Sequence, residues 1–311
     1  MPKLITVKFE TPFKIGRGET YIDAFTLYRA FIKALSMLGE DFREIVENKV
    51  KFSSAFPVIN GKLFLKVPPK KVNVKDRILE KKLKKVEYIS QDLLKEVLEK
   101  KKDLSKVEIK VIEVSKDDED NDLIGITIDG VPAHVYKNVI VRNKEEKVEI
   151  KGDYVTEYKN RISRVSQMSD IFTIVGYFPH YTMGFIVSDW NDKLERALRL
   201  LEKTGIGGER SIGFGKFKVV EERNTDTNIA NGEKDRIKYA TGRVYTEGEF
   251  VTERLEKISG YAGDTLVTVM PQLILLPAGS LLKESKRIGE NINQNKNINQ
   301  NNIVIVDPIL L

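Results

Sequence analysis

The 311-residue chain has a formal net charge of +6 and contains no cysteine. Without cysteine it has no disulfide framework, thiolate nucleophile or iron–sulfur cluster, which favours the cytoplasm. No segment reaches the roughly 18 consecutive apolar residues that span a bilayer, so no membrane association is expected. The basic balance suits a nucleic-acid partner, although a well-solvated surface explains so modest a charge almost equally well.

The first seventy residues predict a strand, a helix and a hairpin. Leu4–Glu10 alternates apolar and polar residues, the pattern of a half-buried strand. Apolar residues at helical spacing follow up to Leu38, with Asp23 placed to cap this helix and Gly39 to end it. The turn Asn60–Gly61 lies between two short apolar pieces and predicts a small hairpin.

A lysine-rich segment from 71 to about 110 keeps apolar residues at helical spacing, so we expect amphipathic helices there. Its glutamates alternate with its lysines, which favours a solvated helix face over a phosphate-binding track. Strand-like alternations follow at Val107–Val111 and Ile124–Ile128, separated by an acidic loop at Lys116–Asp122.

Further along the chain, Ile171–Phe178 and Phe185–Ser188 predict two buried strands. A second helix is expected to begin near Asp189 and to end at Thr204–Gly205. A last strand begins at Phe217. These pieces give the order strand, helix, strand, strand, helix, strand, which is typical of a ferredoxin-like βαββαβ fold of the α+β class.

The domain organisation follows from this order. Residues 1–222 are predicted to form the ferredoxin-like domain, with a large insertion at about 70–160. Residues 236–311 are rich in strand patterns and predict a second, smaller domain. Its polar stretch at 290–302 is expected to be a mobile loop, followed by a strand at Ile303–Val306.

The segment Gly205–Phe217 is the most informative part of the sequence, because five glycines lie within its first eleven residues. Such a loop can adopt positive φ angles and direct N–H groups at phosphates. It is not a Walker loop, since Gly215–Lys216 is followed by phenylalanine instead of serine or threonine. It is not a Rossmann fingerprint either, since Arg210 stands where glycine or alanine is needed.

Two interpretations of this loop remain open from the residues alone. It is either a flexible connection between helix and strand or a site for a polyanionic strand. Arg210, Lys216 and Lys218 favour the second interpretation. Phe214 can then stack on a base, an interaction worth roughly 1–3 kcal/mol.

Gly207–Phe217 reads Gly-Gly-x-Arg-Ser-x-Gly-Phe-Gly-x-Phe, by which the chain resembles the RAMP superfamily of CRISPR systems. The similarity extends from the first strand to about Val220. Four further stretches narrow the resemblance to one kind of subunit. This is the subunit that holds the 5′ tag of the guide RNA in type III-A (Csm) interference complexes. The four stretches are Phe9–Gly16, Asp23–Leu38, Phe52–Pro57 and Asn160–Arg164.

The resemblance implies two ferredoxin-like domains and a non-catalytic subunit in antiviral defence. It also implies binding of the repeat-derived 5′ tag of the guide RNA and contacts with the large polymerase-like subunit and the adjacent RAMP backbone subunit. Loop chemistry and resemblance together predict the RNA-binding residues Lys14, Ser53, Ser54, Arg161, Arg164, Gly205, Gly207, Gly208, Arg210, Ser211, Gly213, Phe214, Gly215 and Lys216.

Some relatives in the superfamily are metal-independent endoribonucleases that process guide RNA, which is the main alternative. Such an enzyme would use a histidine beside a second polar group. The chain has two, His134 in a predicted loop and His180 in a predicted turn, and neither has a recognisable partner in the sequence. We therefore assign no catalytic residue, cofactor or metal site. A scaffold that contacts only proteins is a third possibility.

Overall fold

The computed structural model describes residues 1–16, 19–43, 45, 50–116, 122–162, 169–225, 236–246, 248–262, 268–283 and 308–311. Within these ranges the chain is a mixed α+β protein dominated by strands, as predicted. No helix in the described ranges is long and apolar enough to cross a membrane.

The described helices are α1 (Ala24–Met37), α2 (Arg77–Lys84), α3 (Gln91–Lys100) and α4 (Asp192–Thr204). The strands are β1 (Lys3–Phe9), β2 (Phe56–Ile59), β3 (Lys62–Lys66), β4 (Lys70–Asn73), β5 (Tyr88–Ser90), β6 (Val107–Lys116), β7 (Asp122–Ile128), β8 (Val131–Tyr136), β9 (Val139–Val141), β10 (Gly152–Ile162), β11 (Ser169–Pro179), β12 (Thr182–Val187), β13 (Phe217–Asn224), β14 (Ile237–Tyr239), β15 (Phe250–Val251), β16 (Glu256–Ala262), β17 (Thr268–Leu275) and β18 (Leu281–Lys283).

One large sheet of eleven strands forms the centre of the molecule. Its order is β13-β1-β12-β2-β3-β5-β9-β8-β7-β6-β4. The first four strands pair antiparallel, helix α1 lies between β1 and β2 in the chain, and helix α4 connects β12 to β13. The two helices contact each other. This unit places the connection from α4 to β13 beside the end of β1.

The two helices begin and end where their capping residues predict. The Asp23 carboxylate accepts a hydrogen bond of 3.0 Å from the amide of Phe25, and Gly39, at φ 71°, follows the end of α1. Asn191 caps α4 through a 3.0 Å bond from the amide of Leu194. Gly205 ends α4 at φ 77°, because a residue without Cβ adopts this conformation at little cost.

The sequence pattern assigns the wrong segment to one strand of the central sheet. Ile171–Phe178 was expected to be a buried framework strand, but it lies in β11, which pairs along its whole length with β10 in a separate hairpin. The place beside β12 belongs instead to β2, with Phe56 opposite Gly184. Phe56 is fully buried, whereas Ile171 is 73% exposed, so the apolar run of β11 is not a core strand.

The hairpin predicted around Asn60–Gly61 is confirmed as β2–β3, with φ 51° and 73° at the two turn residues. These left-handed angles match the twist of the flanking strands and explain the Asn-Gly pair. The hairpin is part of the large sheet, which is a larger role than the sequence indicated.

The insertion contains the predicted amphipathic helices α2 and α3 and the predicted strands β6 and β7. Leu83, Leu93 and Val97 bury the apolar faces of these helices. The strands β4 to β9 extend the large sheet, so the insertion shares its hydrophobic core with the framework. His134, predicted in a loop, lies in strand β8 opposite Gly125 and Val141.

The C-terminal segment forms the small sheet β14-β18-β15 and the hairpin β16–β17. Tyr239, Leu281 and Ile309 belong to the same buried core as the large sheet. The predicted loop at 290–302 and the predicted strand at Ile303–Val306 lie outside the described residues. The division of the chain into two domains therefore stays a prediction.

Candidate nucleic-acid interface

The glycine-rich loop connects the end of α4 to β13. A single turn of 3₁₀ helix, Arg210–Ile212, lies in its middle, between Glu209 at φ 58° and Gly213 at φ 99°. Gly207 and Gly215 also have positive φ angles, 100° and 75°. The glycines thus allow a chain path that ordinary residues rarely adopt.

Backbone hydrogen bonds fix the loop to the segment that follows β1. The amide of Gly208 donates to the carbonyl of Lys14 at 2.9 Å, and the amide of Gly215 donates to the carbonyl of Pro12 at 2.8 Å. Inside the loop, the amide of Ile206 donates to the carbonyl of Gly215 at 3.0 Å. The loop is therefore an ordered element, and a flexible connection does not describe it.

Two of the glycines are required by close backbone contacts. A Cβ atom on Gly215 would lie 2.0 Å from the carbonyl oxygen of Ile206, and one on Gly207 would lie 2.7 Å from the carbonyl oxygen of Lys14. A Cβ on Gly213 would meet nothing within 4 Å. Gly207 and Gly215 consequently serve the folding of the loop itself.

Most amides of the loop are occupied, which corrects the expectation that its whole length can bind phosphates. Within the loop, seven amides donate to internal carbonyls: those of Gly205, Ile206, Gly208, Ile212, Gly213, Phe214 and Gly215. The amides that have no acceptor in the described part of the chain are those of Gly207, Glu209, Arg210 and Ser211. The outer half of the loop is thus the part with amides free for an anion.

Phe214 does not have the predicted stacking role. Its side chain is 3% exposed, and a Cβ on Gly176 of β11 would lie only 2.5 Å from a ring carbon of Phe214. The ring is therefore packed against the backbone of the hairpin, and no face is open for a base. Phe214 anchors the loop instead.

Ser53 and Ser54 are likewise misassigned as RNA contacts. Both are buried. The Ser53 hydroxyl donates to the carbonyl of Ser54 at 2.9 Å and accepts from the amide of Ile186 at 2.8 Å. The Ser54 hydroxyl accepts from the amide of Ala24 at 3.0 Å. Because internal partners occupy both hydroxyls, the two serines stabilise the packing of α1 and β12 around them.

Basic side chains from three segments surround the outer half of the loop. The Lys14 ammonium lies 3.5 Å and the Lys159 ammonium 3.8 Å from the two carboxylate oxygens of Glu209. Arg210 and Lys216 form no ion pair within the described residues, and the backbone of Lys216 is held by a 2.9 Å bond to the Thr11 hydroxyl. The loop therefore presents more positive than negative charge.

Lys159 was missed at the sequence level. It lies in β10, two positions before the predicted contact Arg161. This spacing of two residues along a strand was the signal in the sequence that could have identified Lys159. Arg161 is paired in register with Asp170, and Arg164 lies outside the described residues.

The two faces of the β10–β11 hairpin carry different kinds of side chain. One face of β10–β11 carries only uncharged residues from Tyr154 to Asn160 and from Ile171 to Tyr177. On it, Tyr158 is 76% and Ile171 is 73% exposed. The opposite face carries Lys159. An uncharged face with exposed aromatic and aliphatic side chains is typical of an interaction surface.

Each histidine has a partner. The imidazole of His180, at the β11–β12 turn, lies 2.9 Å from the Asp153 carboxylate, and both side chains are about half exposed. Val58, Ile59, Glu149, Lys151 and Tyr181 line a shallow depression beside it. The imidazole of His134 lies 3.3 Å from the carbonyl of Arg142. His180 and Asp153 thus form a histidine–carboxylate pair that the sequence did not reveal.

A buried charge cluster connects the C-terminal segment to helix α1. The guanidinium of Arg243 contacts the carboxylates of Glu19 at 2.5 Å, Asp23 at 3.5 Å and Glu256 at 2.5 Å. Burial raises the pKa of both Asp23 and Glu19. One guanidinium is shared by three carboxylates, so this cluster has a structural role and offers no free positive charge to RNA.

No protein-family model matches the sequence, and no curated protein matches it either. The structure is similar to a chain in the crystal structure of the Csm3–Csm4 subcomplex in the type III-A CRISPR-Cas interference complex. The sequences are 15% identical, the match covers 92% of this chain and 93% of that one, and the TM-score is 0.55.

A second similar structure is the Csm1–Csm4 cassette in complex with cA4, with 14% identity, 99% of this chain and 96% of that chain covered, and a TM-score of 0.53. At such low identity the likeness concerns the fold. The chain therefore has a fold that occurs in subunits of type III CRISPR complexes, and almost its full length takes part in the match.

Proposed function

We propose that the chain is a non-catalytic subunit of a type III-A CRISPR RNA-guided interference complex. In this role it binds the 5′ repeat-derived tag of the guide RNA and caps the backbone next to the large subunit. The observation on which this proposal rests is the fold likeness to chains of the Csm3–Csm4 and Csm1–Csm4 assemblies over more than nine-tenths of the sequence.

The central unit supports the same proposal. The strand order β13-β1-β12-β2, with α1 between β1 and β2 and α4 between β12 and β13, supports a ferredoxin-like domain. We infer that this unit is the RAMP domain implied by the sequence resemblance. The glycine-rich loop then occupies the position between the second helix and the last strand that is the hallmark of the superfamily.

The RNA tag is proposed to lie along the outer half of the loop. Lys14, Lys159, Arg210 and Lys216 supply the positive charge, and the unoccupied amides of residues 209–211 supply donors for phosphate oxygens. Contacts of this kind bind the backbone without reading bases, so affinity should fall steeply as salt rises.

The proposed protein partners are the large polymerase-like subunit and the adjacent backbone subunit. The uncharged face of the β10–β11 hairpin suits such a contact, because exposed aromatic and aliphatic side chains are enriched at the centres of interfaces. Tyr158→Asp should abolish copurification of at least one partner while leaving the melting temperature of the isolated chain unchanged. Normal copurification of both partners would exclude this face.

Purification of the tagged chain from its host, with sequencing of the bound RNA and identification of its companions, tests the proposal. We expect guide RNAs with a common 5′ tag, together with Csm subunits. Arg210→Glu combined with Lys14→Glu should remove the RNA while companions still copurify. A pure scaffold would instead keep its RNA complement unchanged, and the absence of Csm companions would contradict the proposal.

One observation favours a second candidate, a metal-independent endoribonuclease that processes guide RNA. The His180–Asp153 pair at 2.9 Å has the composition of a general acid–base site. Incubation of the purified chain with repeat RNA distinguishes the two functions. Specific cleavage that is lost in His180→Ala and retained in His134→Ala would establish the enzyme. Intact RNA supports the binding subunit.

A further inference from the structure

Glu209 is the one acidic residue between Gly205 and Phe217, and it lies among the basic side chains. Its carboxylate oxygens face two different lysines, Lys14 at 3.5 Å and Lys159 at 3.8 Å. The lysines come from the segment after β1 and from the β10–β11 hairpin, so only the folded chain brings them together. All three side chains are about 30% exposed.

The contacts of Glu209 are not needed to hold the loop in place. Backbone hydrogen bonds from Gly208 and Gly215 already fix it to residues 12 and 14. Long, partly exposed ion pairs contribute little net stability, because water and salt screen them. The carboxylate therefore occupies a position between two ammonium groups without a structural need for it.

We propose that Glu209 is an internal substitute for an RNA phosphate. In the free protein its two oxygens occupy the position between Lys14 and Lys159, and a phosphate of the guide RNA displaces them on binding. This inference rests on the proposed function and adds a regulatory residue to the same site. Because every RNA must compete with this carboxylate, short or weakly charged anions bind poorly.

Glu209→Gln tests the proposal, since it removes the charge and keeps the size of the side chain. Affinity is measured by fluorescence anisotropy with a labelled single-stranded RNA that carries a repeat-derived 5′ tag, at low salt. We expect the affinity of the full chain to rise about threefold to tenfold. The gain should disappear when Lys14 and Lys159 are both changed to glutamine.

Glu157→Gln is the matched control. Glu157 is exposed in the same strand, two residues from Lys159, and forms no ion pair within the described residues, so the change in net charge is the same. Its effect should stay below twofold. Melting curves of both variants should match that of the parent chain, which shows that the comparison concerns binding.

The outcomes separate this inference from the proposed function. Unchanged or weaker binding of Glu209→Gln, while Lys14→Gln and Lys159→Gln each weaken binding, overturns the phosphate substitute and makes Glu209 a tether between loop and hairpin. If the two lysine variants also bind RNA as the parent does, then the loop is not the RNA site, and the proposed interface is overturned as well.

Discussion

The replacement Gly215→Ala examines how the glycine-rich loop is built. At φ 75°, any residue with a Cβ loses roughly 1–2 kcal/mol. The new Cβ would also lie 2.0 Å from the carbonyl oxygen of Ile206. Relief of this overlap must separate the backbones of Ile206 and Gly215 by about 1 Å, because contacts below 3.0 Å do not persist.

That separation removes the 3.0 Å hydrogen bond from the Ile206 amide to the Gly215 carbonyl, worth about 1 kcal/mol. The total loss of unfolding free energy is therefore about 2–3 kcal/mol. A less flexible unfolded chain returns roughly 0.4–1 kcal/mol of it. We expect RNA affinity to fall as well, since the outer half of the loop moves with Gly215.

Gly213→Ala is the matched control, two residues away. Its φ of 99° is equally unfavourable, but a Cβ there meets nothing within 4 Å. Urea unfolding should show a loss smaller than that of Gly215→Ala by about 1 kcal/mol, with the same m value. Equal losses for the two variants would refute the reasoning from close contacts.

Three other changes have expected outcomes. Arg243→Met should lower the unfolding free energy by about 3–5 kcal/mol, since it leaves the charge of the buried Asp23 carboxylate without a counter-ion. Burial raises the pKa of Asp23, so melting curves should show a loss that becomes smaller as the pH falls and this carboxyl takes up a proton. Burial lowers the pKa of Lys70 to about 8, so its ammonium destabilises the fold below that pH. Lys70→Met should therefore raise the unfolding free energy by roughly 1 kcal/mol at pH 7 and by less near pH 10. Phe214→Leu should keep RNA affinity within about twofold, whereas a stacked ring would lose roughly 1–3 kcal/mol in an anisotropy titration.

Local signals in the sequence predict the helices and turns well. Asp23 and Gly39 bound α1, Gly205 ends α4, and Asn60–Gly61 forms the turn of β2–β3. Each of these features depends on the conformational preference of one or two residues. Such preferences act within a few residues, and tertiary contacts did not override them here.

The choice of central strand required information that a sequence pattern lacks. β2 has four residues and contains Pro57, so no period is visible, whereas the long apolar run of β11 is typical of a core strand. In the structure, only some residues of that run are buried. Ile174 is buried, while Ile171 and Phe172 are exposed on the hairpin. Tertiary pairing, which no local pattern encodes, decides between the two.

The motif located the candidate site in the sequence, but it did not identify which residues take part in the site. The motif shows that residues 205–217 form a special loop. It does not show that the carbonyls of Pro12 and Lys14 accept from the amides of Gly215 and Gly208, because Pro12 and Lys14 lie far away in the chain. The contact of Lys159 with Glu209 and the packing of Phe214 against the hairpin also join residues that are far apart in the chain, so the sequence does not reveal them. Site residues that depend on long-range contacts were therefore misassigned or missed.

The salt dependence of RNA binding tests the central claim most directly. For the parent chain and for Lys14→Gln, Lys159→Gln, Arg210→Gln and their combination, the logarithm of the association constant for the tag RNA is plotted against the logarithm of salt concentration. We predict that each replacement reduces the steepness of this line by about 0.7 and that the triple variant reduces it by about 2. A slope that stays the same in the triple variant would contradict the account.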